Sequence, residues 1–337
     1  MILYDQSIPA SIEEFGVQIP VRDSRVIKTF QALLDDSQLK ARQADWHVPK
    51  IAEQLRREDL LRAHSEEYVQ RLYSAGLEQE IISTFELIDE EGKYHRYDPD
   101  SAIRPLTDLF DRLLKKTAGS VQAARLALQH GFCFSFTGGA HHAQHNYGNG
   151  FCLLNDIIIA CRKLQAEGLV RQVWVIDVDA HKGDGTAALA EHDSSIRTLS
   201  IHMAKGWPLD GPEKLADGSL NPSFIRSDID IPIESGEESL YLDRLRMGLD
   251  TLEEVGRADL AIVVCGADPY EGDELPSAAL LKLSLEQMFE RDRLLYEWLA
   301  ARDVPAAFLM AGGYGDKVWR VYSQFLLWVL HKRFVAA

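Results

Sequence analysis

The chain contains 337 residues, and its 36 lysines and arginines against 52 aspartates and glutamates give a formal net charge of −16. Apolar residues make up 46% of the chain and charged residues 26%, which is typical of a globular protein and argues against a disordered or fibrous one. The acidic balance also argues against a broad basic surface for nucleic acid, so we expect no direct nucleic-acid partner.

Membrane and export signals are not visible in the sequence. No window reaches the ~18 uninterrupted apolar residues of a membrane span, so we expect no membrane partner. Residues Met1–Asp5 are not a basic stretch followed by an apolar run, and we expect no signal peptide. The cysteines lie mostly within apolar runs, which is typical of reduced thiols in a cytoplasmic protein: Cys133, Cys152, Cys161 and Cys265. The sequence permits an oligomer but does not define one.

Helices are predicted for most of the first hundred residues, where apolar residues recur at three- and four-residue spacing. The predicted helices are Ser24–Leu34, Val48–Arg57, Arg57–Ala63 and Ser65–Ala75, followed by a long helix from Asp108 to His130. The polar segment Asp89–Asp100 is predicted to be a surface loop.

Strands and helices alternate from about residue 132 onward. The predicted strands are Phe132–Phe136, Val173–Val178, Arg197–Ile201, Leu260–Cys265 and Ala306–Met310. The predicted helices are Asn155–Glu167, Thr186–Glu191, Leu240–Val255, Ser284–Ala301 and Val318–Phe334. This alternation predicts an α/β protein, with an open parallel β-sheet flanked by helices on both faces. We expect a single domain over residues 1–337, because no linker or repeat divides the chain.

Polar residues follow four of the predicted strands. The segments are Gly138–His142, His181–Gly185 with the two preceding aspartates, Gly266–Pro269, and Gly312–Gly315. In open parallel sheets the binding crevice lies outside the carboxyl ends of the strands. The four segments are therefore predicted to form one site.

The segment from Asp177 to His181 carries the strongest signal. Alternate side chains of an extended segment point the same way, so Asp177, Asp179 and His181 can share one side. Two carboxylates and an imidazole suit a divalent metal such as zinc, and Asp268 could supply a ligand from another loop. The competing interpretation is an aspartate that caps the next helix beside a solvated histidine. An unpaired buried carboxylate is costly, which disfavours that interpretation.

His141 and His142 follow two glycines, and Tyr314 lies within a glycine-rich segment. The histidines could belong to an ordinary surface loop, and the tyrosine could be an exposed ring in a turn. Beside a metal site, the histidines instead suit an acid/base pair with carboxylates behind their rings, and the phenol suits an oxyanion donor. Asp177 and Asp184 are the carboxylates available to orient the imidazoles.

Together these motifs resemble the zinc-dependent histone deacetylase family of the arginase/deacetylase superfamily. The matching segments, in the order and rough spacing of that family, are GGAHHA (138–143), GNGFCLLND (148–156), DVDAHKGDGT (177–186), GAD (266–268), GDEL (272–275) and AGGYG (311–315). The likeness extends from about Ile19 to Tyr314. Within the family the sequence is most similar to the class IV type and its bacterial relatives, in which a non-histidine residue follows the single histidine of the metal loop.

The resemblance implies an arginase/deacetylase-like fold and a role for each motif residue. Asp179, His181 and Asp268 would bind one catalytic Zn²⁺. His142, backed by Asp184, would be the general base, and His141, paired with Asp177, would give electrostatic support. Tyr314 would polarise the acyl carbonyl. A structural K⁺ or Na⁺ is also implied, with these residues around it: Asp177, Asp179, His181, Ser200 and Ile201.

The resemblance further implies a narrow substrate tunnel. Phe151, Trp207 and Leu275 would form its walls, and the Gly150 carbonyl would accept the substrate amide N–H. Arg22 would be the family arginine at the foot of the tunnel, where the acetate product leaves. Lys182 departs from many relatives, which have a second histidine there, and would add an ammonium near the site.

The implied activity is zinc-dependent removal of acyl groups, chiefly acetyl, from lysine in proteins or peptides. One alternative is an acetylpolyamine amidohydrolase. Polyamine-specific relatives have a glutamate where this chain has Leu275, although Glu274 is adjacent. More remote alternatives are an arginase-like ureohydrolase with two manganese ions and a non-catalytic protein that binds acyl-lysine.

Overall fold

A computed structural model describes residues 1–335 of the chain and shows one eight-stranded, wholly parallel β-sheet. The strands are β1 (Ile2–Leu3), β2 (His47–Val48), β3 (Phe132–Ser135), β4 (Val173–Asp177), β5 (Ile196–Met203), β6 (Ile229–Ile233), β7 (Leu260–Cys265) and β8 (Ala306–Met310). Their order across the sheet is β2-β1-β3-β8-β7-β4-β5-β6. The predicted open parallel sheet is confirmed.

Twelve α-helices cover the sheet within the described residues. They are α1 (Ser24–Asp35), α2 (Ser37–Ala41), α3 (Gln43–Trp46), α4 (Arg57–Leu60), α5 (Glu66–Leu72), α6 (Leu77–Thr84), α7 (Leu109–His130), α8 (Asp156–Ala166), α9 (Asp184–Ala190), α10 (Tyr241–Val255), α11 (Leu285–Ala300) and α12 (Trp319–Leu330). A short π-helix, His331–Val335, extends α12. None of these helices combines the length and the apolar character needed to cross a membrane.

Two hydrophobic cores lie on opposite faces of the sheet. Alternate residues of β3 divide between them, since Phe132 and Phe134 join one core and Cys133 joins the other. The first core includes residues of α1, α10, α11 and α12, and the second includes residues of α5 to α8. Both faces are therefore covered, which explains why β7 and β8 in the middle of the sheet are apolar at every position.

Two predictions of secondary structure were wrong. Residues 49–56 are irregular rather than helical, because the Ile51 N–H donates to Asp5 Oδ2 and the Ala52 and Glu53 N–H groups donate to Gln122 Oε1. These side-chain acceptors replace the carbonyls that a helix would supply. The edge strand β6 was missed, since Pro232 weakens the strand pattern and is tolerated only at an edge or a bulge.

Candidate active site

The loops after β3, β4 and β8 meet at one cavity of about 380 Å³. Residues from the predicted segments line it: Gly138, Gly139, His141, His142, Gly150, Phe151, Asp179, His181, Trp207, Leu275, Gly312 and Tyr314. Asp268, from the loop after β7, contacts His181 from behind the cavity wall. The predicted convergence of four loops is therefore observed.

Asp179, His181 and Asp268 form a compact buried group. Each offers one ligand atom, and these atoms all lie within 4.8 Å of one another. His181 Nδ1 lies 3.0 Å from Asp268 Oδ2 and 3.3 Å from Asp179 Oδ1. Backbone N–H groups hold the carboxylates, since Gly312 donates to Asp179 and Ala180 donates to Asp268.

The charges of this group fit a bound cation. Burial and the negative Asp179 raise the pKa of Asp268 to about 6, which shows how unfavourable two such carboxylates are together without a compensating charge. Two carboxylates and one imidazole are a donor set that suits a divalent transition metal and leaves a coordination position open. Asp179, His181 and Asp268 are the only such group of three among residues 1–335.

Each histidine of the adjacent pair has its own buried carboxylate. His141 Nδ1–H donates to Asp177 Oδ2 at 2.6 Å, and His142 Nδ1–H donates to Asp184 Oδ1 at 2.6 Å. Gln144 Nε2 donates to the second oxygen of Asp184. Both dyads match the pairing that the family resemblance implied, and each leaves the Nε2 atom of its imidazole free for chemistry.

The two imidazoles have different proton affinities. Burial alone would lower the pKa of His141, but Asp177 and Asp179 raise it to about 9. Burial and the neighbouring His141 lower the pKa of His142 to about 4, despite Asp184. Their ring centroids are only 3.8 Å apart, so one proton on the pair disfavours a second. At pH 7 His142 is therefore neutral and able to accept a proton.

Asp156, at the start of α8, fixes the backbone of the histidine loop. Its carboxylate accepts the N–H groups of Gly139 at 2.9 Å and Ala140 at 2.7 Å, and it also accepts from Ser120. Gly139 has a φ of 80°, and a Cβ there would lie 2.5 Å from the Cβ of Ala311. A glycine is needed at this point because the loop packs directly on the loop after β8.

Tyr314 lines the cavity from the loop after β8. Its N–H donates to Asp273 Oδ2 at 2.6 Å, while the other oxygen of Asp273 accepts the N–H of Leu275 at 2.8 Å. Burial, Asp268 and Asp179 raise the pKa of Tyr314 well above its ordinary value, so the phenol keeps its proton and can donate a hydrogen bond. The role of Asp273 was not predicted, although it lies within the GDEL motif.

The predicted wall residues all line the cavity. The Trp207 ring packs on His142 with centroids 4.5 Å apart, and Phe151 stacks on Phe85. Gly150 lies between them with a φ of 54°, and a Cβ there would meet both Trp207 and His142. Leu275 lies on the opposite loop, whereas its neighbour Glu274 is not part of the lining.

Arg22 is not at the foot of the cavity, and this placement was wrong. Its side chain is 43% exposed and lies 3.8 Å from both Glu274 and Asp316 at the surface. Arg25, one turn further along, is 7% exposed and lines the cavity instead. Arg25 lies in the first turn of α1, whereas Arg22 precedes this helix, and the sequence alone does not show which of the two side chains is buried.

Comparison with known proteins agrees with this geometry. A family model described as the histone deacetylase domain matches residues 19–330. The chain belongs to the histone deacetylase domain family. It is 33% identical over 208 residues to an uncharacterized protein of Picosynechococcus, an alignment that covers 61% of this chain and 64% of that protein.

Two further relatives of this histone deacetylase domain carry descriptive names. Histone deacetylase 2 of Arabidopsis thaliana is 25% identical over 265 residues, covering 79% of this chain and 63% of the relative. The acetoin utilization protein AcuC of Staphylococcus aureus is 27% identical over 315 residues, covering 91% and 75%. The alignments thus span less than two thirds of the first two relatives. Membership of class IV stays a prediction.

Lys182 of this deacetylase domain points away from the cavity. Its side chain is buried, and Nζ lies 2.6 Å from Asp230 Oδ1 and also donates to Ser227. The ammonium that the sequence places beside the metal ligands is therefore paired with the Asp230 carboxylate and does not face the cavity. Ser200 pairs with Asp177 in the β4–β5 register, which brings residues of the expected monovalent-cation site together. The ion itself stays a prediction.

Arg291 of α11 is fully buried behind the metal group. Its guanidinium donates to the carbonyls of Val178 at 3.0 Å and Gly266 at 2.8 Å, and to the Asp292 carboxylate at 2.8 Å. Val178 directly precedes Asp179, and Gly266 lies two residues before Asp268. One side chain thus joins the two strand ends that carry the carboxylate ligands, a function that the helical pattern of α11 could not indicate.

Arg291→Met is expected to lower the free energy of unfolding by about 3–5 kcal/mol, because it leaves the Asp292 carboxylate buried without its counter-charge. Urea denaturation followed by tryptophan fluorescence measures this loss. Arg293→Met, at an exposed ion pair of the same helix, is the matched control and is expected to change stability by less than about 1 kcal/mol. The double change Arg291→Met with Asp292→Leu should recover most of the loss; an equal loss in the double variant would contradict this account.

Proposed function

We propose that this protein is a metal-dependent lysine deacylase that hydrolyses the amide between an acyl group and the ε-amine of lysine in proteins or peptides. The observation that supports this most directly is the position of the His142–Asp184 and His141–Asp177 pairs. They adjoin a group of residues suited to bind a metal, in a cavity that is also lined by Tyr314. The family match supports the same class of reaction.

Asp179, His181 and Asp268 would hold the metal, which we propose to be zinc. A bound Zn²⁺ supplies Lewis acidity and lowers the pKa of a coordinated water towards ~7. A monovalent K⁺ or Na⁺ near Asp177 and Ser200 would have a structural role only. Because residues 1–335 contain a single group of this kind, the geometry favours one catalytic ion over the two of an arginase-like enzyme.

The chain's own residues carry the remaining steps. Neutral His142 takes a proton from the attacking water, and Asp184 stabilises the resulting imidazolium. Tyr314 donates a hydrogen bond to the carbonyl oxygen as negative charge develops on it. The amide C–N bond then breaks, and the proton on the histidine pair passes to the departing amine. The Gly150 carbonyl accepts the substrate N–H, while Phe151 and Trp207 exclude water along the side chain.

The wall at Leu275 favours an acyl-lysine over an acylated polyamine. A polyamine carries a second ammonium, which requires an acidic group at the mouth of the cavity. Leu275 provides none, and Glu274 is occupied with Arg22 and with the N–H of Asp316. The polyamine activity is therefore the second candidate rather than the first.

Leu275→Glu is expected to raise kcat/KM for N-acetylputrescine about 10-fold relative to an acetyl-lysine peptide, because the new carboxylate can pair with the distal ammonium. Steady-state kinetics on both substrates measure the ratio. Leu275→Gln is the uncharged control of similar size and should not change the ratio. A wild-type preference for the polyamine would contradict the assignment of lysine as substrate.

The proposal as a whole is tested with the zinc-loaded protein, a panel of acyl-lysine peptides and a panel of acetylated polyamines. We expect hydrolysis of at least one acyl-lysine peptide and loss of that activity with a chelator, with recovery on adding Zn²⁺. If two manganese ions per chain are required, an arginase-like enzyme is favoured instead. If no acylated substrate is cleaved but acyl-lysine peptides bind, the protein is a binding module.

A further inference from the structure

Besides the metal group and the histidine pair, the cavity has a second set of lining residues, which is largely aliphatic and comes from the N-terminal segment, α1 and α7: Ile8, Pro9, Ile12, Ile19, Val21, Val26 and Leu113. We call this part of the cavity its inner end. Two cationic residues, Arg25 and Lys116, line the same region. A bound acetyl group carries no charge that could pair with either cation, and the acetate product could pair with them only after the amide bond has broken.

Lys116 has little to compensate its charge. Within the described residues its Nζ makes one hydrogen bond, a long one of 3.4 Å to the carbonyl of Ala10. Burial, Arg25 and Arg112 lower its pKa to about 7, and Asp23 opposes this shift only in part. The Asp23 carboxylate is already used, since it accepts the Ala10 N–H at 2.6 Å. An anion that entered the cavity would therefore stabilise the charged lysine.

Arg25 is similarly short of a counter-charge. Its Nη atoms donate to the carbonyls of Met310, Ala311 and Gly313 at 2.7–3.1 Å, all of which are neutral acceptors. Its Nε has no hydrogen-bond partner among residues 1–335, although the residue is only 7% exposed. No carboxylate in the described part of the chain forms an ion pair with either Arg25 or Lys116.

We propose that this inner end binds the terminal carboxylate of a dicarboxylic acyl group, so that the protein removes acyl chains of the glutaryl type from lysine. The methylenes of such a chain match the aliphatic lining, and its carboxylate matches Lys116 and Arg25. This inference rests on the proposed deacylase function. The reaction is an ordinary hydrolysis: water adds to the acyl carbon, the C–N bond breaks, the amine takes the proton, and the distal carboxylate is unchanged.

The experiment compares acetyl-, pentanoyl- and glutaryl-lysine in one peptide, because pentanoyl has the length of glutaryl without its charge. The wild-type zinc enzyme is expected to hydrolyse the glutaryl peptide with a higher kcat/KM than the pentanoyl peptide. Lys116→Met should lower kcat/KM for glutaryl roughly 10- to 100-fold and reverse this preference, with acetyl changed less than about 3-fold. Lys116→Arg, which keeps the charge, should retain the preference.

Lys115→Met is the matched control. Lys115 precedes Lys116 in α7, but its Nζ donates to the Ile51 carbonyl and it does not line the cavity. It should behave as the wild type with all three peptides. Calorimetric titration with free glutarate gives a readout independent of turnover, and Lys116→Met should weaken this binding by a similar factor.

Each other result has a definite meaning. Hydrolysis of acetyl-lysine without hydrolysis of glutaryl-lysine would overturn the inference and leave the proposed function standing. The inference would also be overturned if Lys116→Met changed inhibition by acetate but left kcat/KM for glutaryl-lysine unchanged. The cations would then bind only the carboxylate product. If no acyl-lysine peptide is cleaved, the proposed function and this inference both fail.

Discussion

His142→Ala is expected to lower kcat/KM by about 10²- to 10⁴-fold while the protein keeps its metal. In the proposed mechanism the substitution removes the imidazole that accepts the proton of the attacking water, and of the three histidines that line the described cavity only His142 has a lowered pKa. His142 is not one of the three clustered ligand residues, and Asp179, His181 and Asp268 keep their mutual contacts without it. Activity should thus fall independently of metal content.

Steady-state kinetics and metal analysis of the same preparation test this prediction together. His145→Ala is a matched control, because His145 is close in sequence but donates to the Ala63 carbonyl and does not line the cavity. That variant should keep wild-type kinetics. Loss of metal from the His142 variant would mean that the residue is a ligand, and unchanged turnover would mean that another group is the base.

Tyr314→Phe is expected to reduce kcat by about 10²- to 10³-fold with little change in KM. In the proposed mechanism the phenol donates a hydrogen bond that strengthens as the carbonyl oxygen becomes negative, so its loss would lower kcat and leave substrate binding little changed. The ring and its backbone contact with Asp273 remain, so the loop should stay in place.

Stopped-time assays with one acyl-lysine peptide over a range of concentrations separate kcat from KM for this variant. Tyr147→Phe is the control, since Tyr147 is 48% exposed and lies outside the cavity. Its kinetics should equal those of the wild type. A variant at Tyr314 with a raised KM and an unchanged kcat would show that the tyrosine binds substrate and does not stabilise the oxyanion.

The sheet and the polar loops at its carboxyl edge could be predicted because both depend on local patterns. The apolar runs at β3, β4, β7 and β8 identify buried parallel strands, and the motif residues after them carry their chemistry in their type and spacing. The segment from Asp177 to His181 and Asp268 were singled out in this way, whereas the choice of three ligands and the pairing of each histidine with its aspartate came from the family resemblance. The structure brings each set within contact distance.

Features that depend on distant parts of the chain could not be predicted. The segment after β2 looked helical, but its N–H groups find acceptors on Asp5 and Gln122. The sequence does not show which of Arg22 and Arg25 is buried. The packing of α1 buries Arg25 and leaves Arg22 exposed. The contacts that bury Arg291 were not predicted, because the carbonyls that it binds directly follow two strands and lie 113 and 25 residues away in the sequence.

The two hydrogen bonds to Asp273 couple the position of Leu275, in the cavity wall, to the position of Tyr314. This carboxylate accepts the N–H of Leu275, a residue of the cavity wall, and the N–H of Tyr314, the proposed oxyanion donor. A change of side chain at position 275 that shifts its backbone therefore also shifts the phenol. Substitutions at this wall that displace the Leu275 backbone are therefore expected to change the turnover rate together with the substrate preference.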